Sequence, residues 1–161
     1  MSTPDDADPP IDPDVIDERR GVRPSHLKGV NVAAVATGGM LGTLCRYVVA
    51  EWVPTEPSAW PTATFVVNMA GALILGVLLE AVARHGPETP WLQRLRLFGG
   101  TGFCGGMTTY SALAIESDLL LRSGDIAMGV SYLAASVFAG LVATVAGIAL
   151  AARLPRRGGT R

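Results

Sequence analysis

The groups in this 161-residue chain that can act on another molecule are polar and helix-breaking residues set inside apolar stretches. The densest cluster is Gly99-Gly100-Thr101-Gly102-Phe103-Cys104-Gly105-Gly106-Met107-Thr108-Thr109-Tyr110-Ser111, five glycines among hydroxyl side chains. Each Gly costs a helix roughly 1 kcal/mol relative to Ala, so the cluster predicts a local break near residues 105–109. A break frees carbonyls that coordinate a cation and N–H groups that face an anion. Thr64 and Asn68 lie one helical turn apart; the Asn68 amide is a neutral donor suited to a dehydrated anion, and equally able to bridge two helices. Tyr132 and Ser136 share a face by the same spacing. Arg46 and Glu116 are ionisable groups in apolar surroundings, where each either faces a water-filled path or snorkels to an interface. Snorkelling is the simplest account of Glu80. Enzyme chemistry has almost no material. His26 and His85 do not complete a Ser/His/Asp set, no carboxylates pair, and Cys45 and Cys104 lack the spacing of a disulfide or a thiol metal site. GGTGFCGG lacks the Lys-Ser/Thr that a phosphate loop needs.

The elements that must position these residues emerge from the charges. Averaged over the chain, 49% hydrophobic residues, a mean hydropathy of +0.36 and a net charge of -1 resemble a mildly apolar soluble domain. Residues 1–28, however, hold 11 of the 27 charges, 5 of the 11 prolines and only 7 hydrophobic residues. Beyond them lie uncharged runs of 17 residues (29–45), 23 (57–79), 19 (97–115) and 27 (126–152). Each is close to the ~20 residues that cross a ~30 Å hydrocarbon layer. We therefore expect an all-α membrane protein with four transmembrane helices, at about 29–52, 61–84, 95–122 and 126–152, the third broken near its middle. A soluble bundle would need a charged outer face, and 126–152 has none. The expected organisation is a disordered, acidic, Pro-rich tail over 1–28, a transmembrane domain over 29–152 and a basic tail over 153–161. No cleavable signal peptide is expected, because the first 28 residues contain no apolar run. The near-neutral charge argues against a nucleic-acid partner. In the first helix, Gly38-Gly39-x-x-Gly42 offers a smooth face for close packing.

Four crossings put both termini and the loop between the second and third helices on one side. That side holds eleven of the thirteen Lys and Arg residues, the other only Arg122, and Arg46 lies within the first helix. The positive-inside rule makes the crowded side, with both termini, cytoplasmic.

The segments GGMLGTLCRY, TFVVNMAGALILG and above all TGFCGGMTTYS resemble the small bacterial fluoride channels, the Fluc or CrcB proteins, over about residues 31–152. The resemblance implies a passive fluoride channel in the bacterial inner membrane, built as an antiparallel dimer with two pores and a buried, structural sodium ion. It places that Na+ on the carbonyls of Gly105 and Thr108 of both subunits, and fluoride along Asn68, Tyr110, Ser111, Tyr132 and Ser136. Arg46, Thr109 and Glu116 fall in the vestibule or polar track.

Two departures carry information. The family usually reads T-T-F-S-T-F where this chain reads Thr108-Thr109-Tyr110-Ser111-Ala112-Leu113. Tyr110 keeps an aromatic ring with an electropositive edge; Leu113 does not. The eleven-to-one Lys/Arg bias, moreover, directs insertion one way, whereas an antiparallel homodimer must insert both ways. The expectation is an antiparallel heterodimer with a homologous subunit of opposite bias. Two alternatives stand beside a conducting channel subunit: a four-helix proton-coupled exporter, with Glu116 as its only plausible titratable carboxylate, and a non-conducting partner subunit.

Overall fold

A computed structural model describes residues 28–53, 59–87 and 89–153, and within them the chain is helical with no strand. The elements are α1 (Gly29–Trp52), α2 (Thr62–Ala83), α3 (Pro90–Arg96), a π-helical stretch π1 (Leu97–Cys104), α4 (Gly105–Met107), α5 (Tyr110–Arg122) and α6 (Ile126–Ala152). The tails expected at either end lie outside the described residues, apart from Lys28 and Arg153.

Among the described residues, three helices, α1, α2 and α6, are long and apolar enough to cross a membrane. At 1.5 Å per residue, the 22 to 27 residues of α2 and α6 span roughly 33 to 40 Å. Their outward faces expose Phe138, Leu141, Val142 and Val145 in α6 and Leu44 and Val48 in α1. So continuous an apolar surface is stable against lipid or a partner chain and not against water.

Local chemistry sets the ends. Thr89 caps α3 by accepting from the Leu92 N–H at 3.3 Å, with Pro90 in the first turn. The helical path thus begins at Pro90 rather than at 95. After Arg96 the winding loosens to π over Leu97–Cys104, where Gly99, Gly100 and Gly102 remove side-chain constraints, a winding that glycine spacing alone does not predict. Helix α4 ends at Met107. Thr108 (φ -83°, ψ 156°) and Thr109 (φ -149°, ψ 123°) are extended, and α5 starts at Tyr110. Gly124, at φ +89°, turns α5 into α6, which Asp125 caps by accepting from the Met128 N–H at 3.1 Å.

Glycine sets the packing. Helix α1 lies along π1 and α4, and α2 along α6. A Cβ at Gly38 would collide with the Phe98 carbonyl, one at Gly42 with the Phe103 carbonyl, and one at Gly106 with the Gly39 carbonyl. Gly76 meets the Thr144 carbonyl and Gly147 the Leu73 carbonyl in the same way. Without lipid-excluding hydrophobic force between spans, such backbone-to-backbone contact is what holds membrane helices together.

Candidate functional site

The site is built around the two extended residues. Asn68, on α2, faces them with both amide atoms: its Nδ2 donates to the Thr109 carbonyl at 3.1 Å, and its Oδ1 accepts from the Thr109 N–H at 2.8 Å. This two-bond clasp replaces, for Thr109, the helical bonds lost at the interruption. Thr108 turns back, its N–H and its hydroxyl both donating to the Cys104 carbonyl at 2.9 and 2.8 Å. Thr109 Oγ1 accepts from the Ala112 N–H at 3.2 Å and pairs with the Ser111 hydroxyl at 3.1 Å. The Thr43 hydroxyl reaches the Gly106 carbonyl at 3.4 Å. Among the described residues, the carbonyls of Gly105 and Thr108 and the N–H groups of Tyr110 and Ser111 have no hydrogen-bond partner. The interruption therefore offers acceptors on one side and donors on the other.

A groove of about 450 Å³ opens onto this backbone. Asn68, Gly105, Thr108, Thr109, Tyr110 and Ser136 line it, together with Leu113 from α5. Ser136 is 7% exposed, and its hydroxyl oxygen is buried without a partner among the described residues. Tyr110 stands at the opening, 81% exposed.

Next to Asn68's end of α2 is a second polar knot. Glu116 accepts from the Thr64 hydroxyl at 2.6 Å with one carboxylate oxygen and from the Tyr132 hydroxyl at 2.7 Å with the other. Tyr132 is fully buried, its ring edge-on to Trp60 at 5.3 Å, and Trp60 in turn meets Phe65 at 5.9 Å. The knot ties α2, α5 and α6 through one carboxylate.

The model of the CrcB-like protein family, Camphor Resistance (CrcB), matches residues 33–148. The chain belongs to the CrcB family. Among curated relatives, it is 42% identical to Fluoride-specific ion channel FluC 2 of Leifsonia xyli subsp. xyli, over 88% of this chain and 97% of that protein. It is 41% identical to Fluoride-specific ion channel FluC of Pseudomonas fluorescens, over 74% of this chain and 94% of that protein. A homologue from Chlorobium chlorochromatii, also called Fluoride-specific ion channel FluC, is 36% identical over 75% of this chain and 92% of its own length.

In this CrcB-family, multi-pass membrane chain, the structure brings Gly105, Thr108, Thr109, Tyr110, Asn68 and Ser136 around one groove. Ser111 stands beside it through its bond to Thr109. Tyr132 and Glu116 bind each other and Thr64 rather than lining the groove. Arg46 stays apart on α1, its Nε buried with no partner among the described residues. Glu80 forms an ion pair with Arg84 at 2.6 Å, so its charge is matched locally. The roles of Thr43 and of Trp60 went unread in the sequence. Thr43, beside Gly42, carried one weak signal, a hydroxyl next to a glycine contact face.

Proposed function

We propose that this chain is a subunit of a fluoride-selective passive channel that lets cytoplasmic fluoride leave the cell and so limits its toxicity. The observation that carries the reading is the long match to relatives named fluoride-specific ion channels, at 36–42% identity. It is supported by a groove in which one neutral amide and an orphaned hydroxyl meet interrupted helix backbone. Fluoride enters as the weak acid HF and is held inside as the anion. A negative-inside potential then drives the anion outward through an open path. Discrimination comes from replacing the hydration shell with fixed donors: the second Asn68 amide hydrogen, the Ser136 hydroxyl and the N–H groups of Tyr110 and Ser111.

In this reading π1, α3, α4 and α5 together make the third of four crossings, interrupted at Thr108 and Thr109, with both termini cytoplasmic in an inner membrane. The residues at the interruption fit a structural Na+. Gly105 and Thr108 present carbonyl oxygens with no donor among the described residues, and interrupted helices use such oxygens for Na+. When bound, the ion supplies fixed positive charge that offsets clustered carbonyl dipoles. Two subunits in antiparallel arrangement complete the assembly. The eleven-to-one Lys/Arg distribution admits one insertion direction, so the partner is a homologous subunit of opposite bias. Leu113 favours the same pairing, because it lines the groove where the family's usual residue is an aromatic ring; the ring comes from the partner.

The experiment is fluoride efflux from loaded proteoliposomes holding this chain alone, or together with a homologous subunit of opposite Lys/Arg bias. The pair is expected to release fluoride independently of a pH gradient, and the lone chain is not. Absence of release by the pair overturns the channel reading. Release that requires a pH gradient points to the exporter, and robust release by the lone chain overturns obligatory pairing.

A further inference from the structure

A second groove, of about 460 Å³, lies away from the interruption, between the start of α1 and the helix α3. Its α1 wall is Val30, Ala33, Ala34 and Thr37, the i, i+3, i+4, i+7 stripe of one helix face. From Val30 to Thr37 this stripe runs about 10 Å along the axis, starting two residues inside the exposed Lys28. The Thr37 hydroxyl donates to the Ala33 carbonyl at 2.7 Å, so it is satisfied within the helix and the wall is apolar. Leu95 and Phe98 supply apolar surface on the opposite side.

The mouth has a different chemistry. Trp91 and Arg94 line it from α3; being three residues apart, they lie on one face. Trp91 is 66% exposed, as suits a ring at the headgroup level of a membrane. Arg94 is exposed and makes no ion pair with a described residue. Helix α3 is thus basic at its last turn and apolar where it meets α1, at the end of a span whose boundary is marked by Lys28.

We propose that this groove holds one acyl chain of an anionic glycerophospholipid, with the lipid phosphate on Arg94. The groove runs from the charged boundary into the depth of the hydrocarbon, the direction an acyl chain takes. The guanidinium can meet phosphate oxygens with two parallel N–H donors, while the indole of Trp91 covers the glycerol level. Charge complementarity selects an anionic over a zwitterionic headgroup, and the apolar wall selects a tethered chain over free phosphate. The site concerns neither the interruption at Thr108 nor the conduction path, so it stands or falls separately from the channel reading.

The test is native mass spectrometry of the full chain, in its purified assembly, after equilibration with mixed micelles of phosphatidylglycerol and phosphatidylcholine in equal amounts. The wild type is expected to retain phosphatidylglycerol with a roughly fivefold preference, the scale of one basic side chain at an anionic surface. Arg94→Gln should bring that preference to parity, and Arg94→Lys should restore most of it. Ala33→Phe, which fills the groove from an exposed position, should remove the retained lipid with the assembly's size unchanged. Equal retention of both lipids by the wild type, or an undiminished preference in Arg94→Gln, overturns the proposal. If Ala33→Phe alters the oligomeric state and leaves lipid retention intact, a second copy of the chain occupies the groove, and the proposal fails.

Discussion

Replacing Asn68 by Asp isolates what the amide does. The acceptor for the Thr109 N–H survives, but the donor to the Thr109 carbonyl is lost, leaving two oxygens facing each other across a contact now spanned by a 3.1 Å hydrogen bond. Losing that bond at a half-buried site costs about 1–3 kcal/mol of stability. The new charge acts separately on a passing anion. At about 4 Å and an effective dielectric constant near 20, the repulsion is about 4 kcal/mol, or roughly a thousandfold in rate at ~1.36 kcal/mol per decade. Asn68→Ala removes both bonds and adds no charge, so it should lose at least as much stability while slowing flux far less than Asn68→Asp. Flux is read with a fluoride electrode on proteoliposomes holding the proposed pair of subunits; the clasp is read by amide hydrogen exchange at Thr109. Wild-type efflux in Asn68→Asp would remove Asn68 from the path. Unchanged protection of the Thr109 amide in Asn68→Ala would refute the clasp.

Glu116→Ala leaves the buried Thr64 and Tyr132 hydroxyls without their shared acceptor; the expected loss is about 1–3 kcal/mol per hydroxyl, seen as a lower thermal midpoint in detergent, and Glu116→Gln should lose much less. Gly42→Ala forces α1 away from the Phe103 carbonyl and should cost about 1–3 kcal/mol in denaturant titration. Gly29→Ala, with nothing within 4 Å of its added carbon, should be silent, and equal midpoints for the two variants would contradict the packing described above. Replacing sodium by choline should lower the purified assembly's thermal midpoint and restoring sodium should recover it, since an ion that binds only the folded state stabilises it. A midpoint indifferent to sodium counts against Gly105 and Thr108 as its site.

The long apolar helices could be read from charge spacing because hydrocarbon thickness dictates how far apart charges stand. The runs 29–45 and 126–152 fall within α1 and α6 for that reason. The Gly38 to Gly42 face was open to the same kind of reading, since a smooth helix surface has no use except close approach. Partners distant in sequence were not. Asn68 and Thr109 are 41 residues apart, and helical spacing alone left the amide free to face an ion or to bridge helices. The structure has it bridge, with one amide hydrogen remaining. Glu116 likewise had two readings, a water-filled path or an interface, and in fact it accepts from two other helices. The π winding of Leu97–Cys104 escaped because it answers to a neighbour: a Cβ at Gly102 would stand 2.7 Å from the Val35 carbonyl, so its backbone conformation and α1's position are set together.

The interruption at Thr108 and Thr109 falls where the chain changes packing partners. Before it, π1 and α4 are pressed against α1 through Gly38, Gly42, Gly102 and Gly106. After it, α5 lies against α6, and Glu116 fastens it to α2 and α6. Asn68 joins the two regimes at Thr109, and Thr108 Cγ2 sits where a side chain on Gly71 would be. An unwound segment among apolar helices survives only when its backbone is satisfied or lines a cavity, and here Asn68 satisfies Thr109 while the groove opens onto the rest. Its exposed carbonyls and N–H groups are therefore held in fixed positions rather than loosened. Fixed dipoles need not reorganise as charge arrives. By this logic α1's glycine face, which does not itself line the groove, still governs what the groove can bind.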